Sequence, residues 1–342
     1  MKRKNASSFL NLLESYFSTY LPTAKGLSPA TIKSYKTAFR VMFEFMYSEK
    51  GIKADEIQFA ALTADIISEY LDWLETERKC SISTRNHRLS VLNAFSEYAQ
   101  NRNFEAASVF RANLMKIPIK NGQPNKRYFF TKNEIKLLLS LPDTKTAIGK
   151  RNMALLCFMY ASGARAQETC DLTVGDVTFY PNKATVKLIG KGKKVRVISI
   201  PEDAAAILKN YIEYRKIQDK YDRHIFSSQT HEKMTVSCIE EIFFKYIEKG
   251  KLEYPMYFRE KRYTPHSMRH TTATHMLEAG VPLIVVKNFL GHSSIQTTQI
   301  YAEISQITAD KELKAWNERW FLKSHDKDPL EAENGRIPQF LF

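Results

Sequence analysis

VGDVTFYPNKATVKLIGKGKKVRVISI, residues 174–200, is where the chain changes its period. VGDVTF, KATVKLI and KVRVISI are short and β-rich. ProAsn at 181–182 separates the first two, and GKGK at 190–193 separates the last two. Turn residues this closely spaced predict a three-stranded antiparallel meander. On both sides the apolar spacing is helical. Upstream, TKNEIKLLLSLP and RNMALLCFMYASG read as helices, the second largely buried. Downstream, helices are expected from about Glu202, from about Val236, and from His266 to the region of Trp320. The fold class is therefore mainly α with a small antiparallel β-sheet.

The first 115 residues read as helical throughout. SerPro at 28–29 opens one helix, with proline in its first turn. Its stripe is Ile32, Tyr35, Phe39, Met42 and Met46, with Lys33, Lys36, Thr37 and Arg40 on an adjoining polar face. A second helix starts near Thr63. A third runs through SISTRNHRLSVLNAFSEYA, with Leu89, Leu92 and Phe95 as core and Arg85, Asn86 and Arg88 placed off that stripe. The Pro- and Gly-bearing stretch KIPIKNGQPNKRYF breaks the periodicity. This divides the chain into a helical domain (1–116), a basic linker (117–128), a second domain (129–322) and a polar tail (323–342).

Composition points to a polyanion. Of 342 residues, 44% are hydrophobic and 26% charged, and 51 Lys+Arg against 37 Asp+Glu give a net charge of +14. The excess is shared: residues 1–120 hold 17 basic and 12 acidic side chains. Two basic domains facing nucleic acid fit this better than one basic tail. No apolar run approaches the ~20 residues needed to cross a bilayer. No apolar stretch follows the basic N-terminus as a signal peptide requires, so a cytoplasmic protein is expected. Cys80, Cys157, Cys170 and Cys238 form no CxxC pair and read as reduced thiols.

Four short segments carry groups suited to chemistry: SGARAQE (162–168), GKGKKVRV (190–197), TPHSMRH (264–270) and LGHSSIQTTQIY (290–301). GKGK is not a phosphate-binding P-loop, because it joins two strands and lacks the GxxxxGK[ST] pattern. His266 and His270 lie four apart, but Ser267 stands where the HExxH zinc pattern has glutamate, so no metal site is expected.

In combination the four segments resemble the catalytic domain of the tyrosine recombinases, the family of phage-type integrases, Xer-like resolvases and transposon integrases. The family's G-x-R-x-x-E is matched by Gly163, Arg165 and Glu168. Its lysine in the turn between two strands is matched by Lys191, and its H-x-x-R-H by His266, Arg269 and His270. L-G-H-[ST]-S is matched by Leu290 to Ser294, and nine residues after His292 comes Tyr301. The segment S-P-A-T-I-K-S-Y resembles the start of the family's N-terminal core-binding, SAM-like domain. Ala164 and Met268 depart from the usual larger apolar residue and leucine.

The resemblance implies site-specific cutting and rejoining of double-stranded DNA through a 3′-phosphotyrosine, without metal or nucleotide cofactor. Tyr301 would be the nucleophile. Arg165 and Arg269 would bracket the phosphate oxygens. Lys191 would be the general acid, and His266 and His292 would handle a proton or the phosphate. It further implies two domains closing on the duplex, a tetramer on two DNA sites, and room for accessory DNA-bending proteins. Lys33, Lys36, Arg40, Arg85, Asn86, Arg88 and Lys193 are expected to touch DNA. Two alternatives remain at this point: a type IB topoisomerase-like relaxing enzyme, and a catalytically silent DNA-binding regulator of the same fold.

Overall fold

The computed structural model describes residues 7–122, 128–190, 192, 194–260 and 262–291. The chain divides into two compact units, Met1–Asn125 and Lys126–Phe342.

The first unit's regular elements are all helices among the described residues. Helix α1 (Ser8–Ser15) is capped by Ser7 and runs on as a π-helical stretch, Tyr16–Ala24. Helix α2 (Pro29–Lys50) starts on the Ser28 cap, with Pro29 in the first turn, and ends at Gly51 in the left-handed conformation. Thr63 caps α3 (Ala64–Thr76), Ser81 caps α4 (Ile82–Arg102) and Asn103 caps α5 (Phe104–Met115). The interior is aromatic. Phe95 meets Phe9, Tyr16 and Phe39 edge-on at 5.3, 5.3 and 5.2 Å between ring centroids. Such edge contacts add about 0.5–1.5 kcal/mol each to the area they bury.

The second unit is built round α7 (Ala147–Ser162), whose Ala154–Met159 stretch is entirely buried. Helix α6 (Lys132–Ser140) precedes it, and the short α8 (Ala166–Asp171) follows. Strands β1 (Val177–Tyr180), β2 (Lys183–Ile189) and β3 (Val195–Pro201) form the antiparallel meander in that order, with Val177 opposite Val186 and Ile189 opposite Val195. The first strand begins later than the sequence suggests. Asp176 accepts bonds from the Thr173 amide and hydroxyl, so Val174–Asp176 winds into a 3₁₀ turn. Ala184, Val186, Leu188, Ile198 and Ile200 point into the core. Helices α9 (Glu202–Tyr214), α10 (Val236–Glu253), α11 (Pro265–Glu278) and α12 (Leu283–Leu290) are its remaining helices among the described residues.

One buried carboxylate fixes the approach to α11. Glu134 accepts from the Thr131 amide at 2.7 Å, the Phe258 amide at 2.7 Å and the Tyr263 hydroxyl at 3.0 Å. The Phe130 amide then donates to Thr271 Oγ1 at 2.9 Å. Together they hold the start of α11 still, and the candidate site depends on that.

Candidate active site

Helix α7 stops at Gly163, whose φ of +56° is left-handed. A Cβ there would lie 2.7 Å from Leu290 Cδ2, so glycine meets both a backbone and a packing requirement. The chain turns at once into α8, with Arg165 at its N-cap. Glu168, three residues on and 4% exposed, is the hub of the site. It accepts from the Arg165 amide and Arg165 Nη1, each at 2.8 Å, and from both terminal nitrogens of Arg196, each at 2.8 Å. Burial alone would raise its pKa, but the Arg196 fork, the Arg165 amide and the second guanidinium outweigh that and hold it at about 2. Glu168 stays charged and fixes the direction of both arginines.

Arg196 was not among the residues singled out from sequence. Its signal was a charge at an inward β3 position, in phase with Ile198 and Ile200. Its Nε donates to the Phe289 carbonyl at 3.0 Å, and so it ties the end of α12 to Glu168.

Arg269 enters from α11. It is 1% exposed, and its Nη1 donates to the Gly163 carbonyl at 2.7 Å while Nη2 donates to the Leu290 carbonyl. One guanidinium thus joins the end of α7 to the end of α12. His266 stands exposed in the first turn of α11, one turn before Arg269. The His266 and His270 rings meet edge-on, 4.5 Å between centroids. Arg165, His266 and Arg269, with Ala164, Thr264 and Glu240, line a cleft of about 240 Å³. Two guanidiniums and a helix N-terminus make it a site for an anion.

Lys191, His292 and Tyr301 lie outside the described residues, as does Lys193. The backbone beside two of them is described. A Cβ on Gly190 would sit 3.1 Å from Glu168 Oε1 and 3.6 Å from Arg165 Nη1, and the Gly190 amide donates to the Lys194 carbonyl at 2.8 Å. Gly190, the residue before Lys191 in sequence, therefore lies beside Glu168 and Arg165. At Gly291, the residue before His292 in sequence, φ is +68° and a Cβ would lie 2.9 Å from Arg196 Cδ. Among the described residues no three His, Cys, Asp or Glu side chains gather as metal ligands.

The first unit departs from expectation on α4. Arg85 is 4% exposed and does not lie on an outer basic face. Its Nη1 donates to the Pro118 carbonyl at 2.9 Å and to Asn86 Oδ1 at 3.0 Å, and its Nε lies 3.7 Å from Glu75. Asn86 clasps the Lys120 backbone from both sides: Nδ2 donates to its carbonyl at 2.8 Å, and Oδ1 accepts from its amide at 3.2 Å. Lys120 Nζ reaches Glu75 at 2.7 Å. Arg88 is half-buried beside Tyr70. These side chains hold the stretch after α5 onto the bundle. Arg85 precedes Leu89 by four residues and Leu92 by seven, the spacing of one helical face, and that spacing was the overlooked signal. On α2, Lys33, Lys36 and Arg40 are exposed as expected, Lys36 over the Phe17 ring and Arg40 within 3.8 Å of Glu44.

Residues 128–306 match the model of the phage integrase family, and residues 12–106 match that family's N-terminal SAM-like domain. The chain belongs to the phage integrase family. It is 32% identical over 298 residues to the integrase/recombinase y4rC of Sinorhizobium fredii, covering 87% of this chain and 88% of the relative. It is 28% identical over 305 residues to the tyrosine recombinase XerC of Chlamydia caviae, covering 84% and 93%. The fold is similar to that of the XerH site-specific recombinase bound to a palindromic difH substrate, with a TM-score of 0.66, 21% identity, and 89% and 85% of the two chains covered. It is also similar to the Tn1549 transposon integrase in complex with circular intermediate DNA, with a TM-score of 0.65, 18% identity, and 84% and 93% covered. As a phage integrase family member the chain is a site-specific DNA recombinase. No described helix is long and apolar enough to cross a membrane.

Proposed function

We propose that this recombinase breaks and rejoins DNA by attack of the Tyr301 phenol on a phosphodiester, leaving the 3′ phosphate on tyrosine and a free 5′ hydroxyl. The observation that carries the reading is the Arg165–Glu168–Arg196 cluster with Arg269. It holds two arginines at one cleft, and Gly190 and Gly291, which neighbour Lys191 and His292 in sequence, lie against it. Arg165 and Arg269 neutralise the non-bridging oxygens as charge builds at phosphorus. Lys191 protonates the departing 5′ oxygen. His266 accepts the phenol proton or holds the phosphate, and His292 donates to a phosphate oxygen. The phosphotyrosine conserves the bond energy, and a DNA hydroxyl reverses it without metal or nucleotide. Lys33, Lys36 and Arg40, with Lys193 at the hairpin turn, contact the duplex backbone. Four protomers act on two sites in the cytoplasm, with accessory bending proteins where a site requires them, and the C-terminal segment packs on its own or a neighbouring protomer.

Two assays test this. A two-site plasmid should yield recombinant products, whereas relaxation of a plasmid without a site, with no recombinants, would favour the topoisomerase-like alternative. Lys191→Ala should lower the cleavage rate ~10²–10⁴-fold. A 5′-bridging phosphorothiolate, whose leaving group needs no proton, should restore it. Equal rescue of Arg165→Ala, with none of Lys191→Ala, would reverse the assigned roles.

A further inference from the structure

We infer that Glu240 reads a base beside the scissile phosphate, accepting a hydrogen bond from the N4 amine of a cytosine in the major groove. The inference rests on the cleft holding a DNA phosphate. Glu240 lies on α10, is exposed, and lines that cleft with Arg165, His266 and Arg269. Unlike Glu168, it makes no hydrogen bond or ion pair among the described residues. A carboxylate in a cleft built for an anion repels the phosphate, so it needs a donor to face.

Duplex DNA offers a carboxylate few donors. They are the exocyclic amines of cytosine and adenine in the major groove and of guanine in the minor groove. Helix α10 runs for 18 residues, and a helix fits the ~12 Å major groove but not the ~6 Å minor one. Adenine pairs its N6 donor with the N7 acceptor, which suits an amide side chain. A carboxylate, which only accepts, suits cytosine N4.

The rest of α10 agrees. Ile239, Ile242, Phe243, Tyr246 and Ile247 are buried, and Ser237, Glu240, Glu241 and Phe244 form the opposite, exposed face. Phe244 is 69% exposed. It lies about 6 Å further along the helix, within about two base steps, and its ring suits a thymine methyl.

The test uses the full chain and nicked suicide duplexes in which each base pair flanking the cleavage point is varied through all four identities. The readout is the rate of covalent adduct formation. The wild type should prefer C·G at one position by roughly 5- to 150-fold. Glu240→Ala should bring the four rates at that position together and leave preferences elsewhere as they were. Glu240→Gln should move the preference there towards adenine, a change that a merely structural role would not produce. A Glu240→Ala profile identical to wild type at every position overturns the inference. So does an equal slowing on every duplex, which would place Glu240 on the phosphate or the nucleophile. If the wild type forms no adduct on any duplex, the cleavage reading itself fails and takes this one with it.

Discussion

At the scale of single residues, the site is a problem in holding like charges together. Arg165 and Arg196 both point at Glu168, and the carboxylate keeps its charge because their donors surround it. Its folded pKa lies below the unfolded value, so its contribution is complete above about pH 4.5 and disappears as pH falls through about 2. That contribution is on the order of 3 kcal/mol at neutral pH. Glu168→Gln should therefore melt well below wild type at pH 7, and the gap between the two should close as melts are taken from pH 4.5 towards pH 2. A gap constant across that range would mean that Glu168 contributes no pH-linked stability. Arg269→Lys keeps a charge but cannot span the Gly163 and Leu290 carbonyls with a rigid fork. Leaving a buried carbonyl without its donor costs about 1–3 kcal/mol. The variant should lose thermal stability as well as adduct yield, and a pure loss of yield with an unchanged melt would deny the bridging role.

At the scale of elements, glycines set how closely the pieces approach. Gly163→Ala must hold a left-handed residue and displace Leu290. The combined strain of about 2–3 kcal/mol should lower Tm by roughly 5–10 °C in a unit of this size. On α4, the Arg85 and Asn86 contacts predict a result in hydrogen exchange. Arg85→Ala should speed exchange across residues 118–122, because the clasp on Pro118 and Lys120 is loosened, and unchanged protection there would show the clasp to be idle.

The same elements show what the sequence could and could not tell. Helix starts were legible because Ser28, Thr63 and Ser81 are capping residues in front of apolar stripes. The meander was legible from its short β-rich runs and the turn residues between them. The role of Arg85 was not, because a charged residue on an apolar face becomes intelligible only when the distant Pro118 and Glu75 are brought to it. Arg165, His266 and Arg269 were legible through the resemblance to the recombinase motifs, but the link from Arg196 to Glu168 depends on strand register, which the motifs do not encode.

At the scale of the whole molecule, a net charge of +14 ties function to a polyanion, and salt dependence measures how many charges take part. Replacing Lys33, Lys36 and Arg40 together with alanine should flatten the log–log dependence of DNA affinity on salt by up to about three units, at about 0.9 for each phosphate neutralised. Arg85→Ala should leave that slope near wild type, because its guanidinium is turned inward. An unchanged slope in the triple variant would move the backbone-contacting face away from α2. All these expectations assume one covalent chemistry, and one measurement addresses it directly. Protein trapped on a nicked suicide duplex is digested, and the residue joined to DNA is identified by mass spectrometry. The account predicts a single phosphodiester from Tyr301 to the 3′ end of the broken strand, with no trapped product from Tyr301→Phe. A link to any other residue, a 5′ attachment, or full adduct yield from Tyr301→Phe would contradict it.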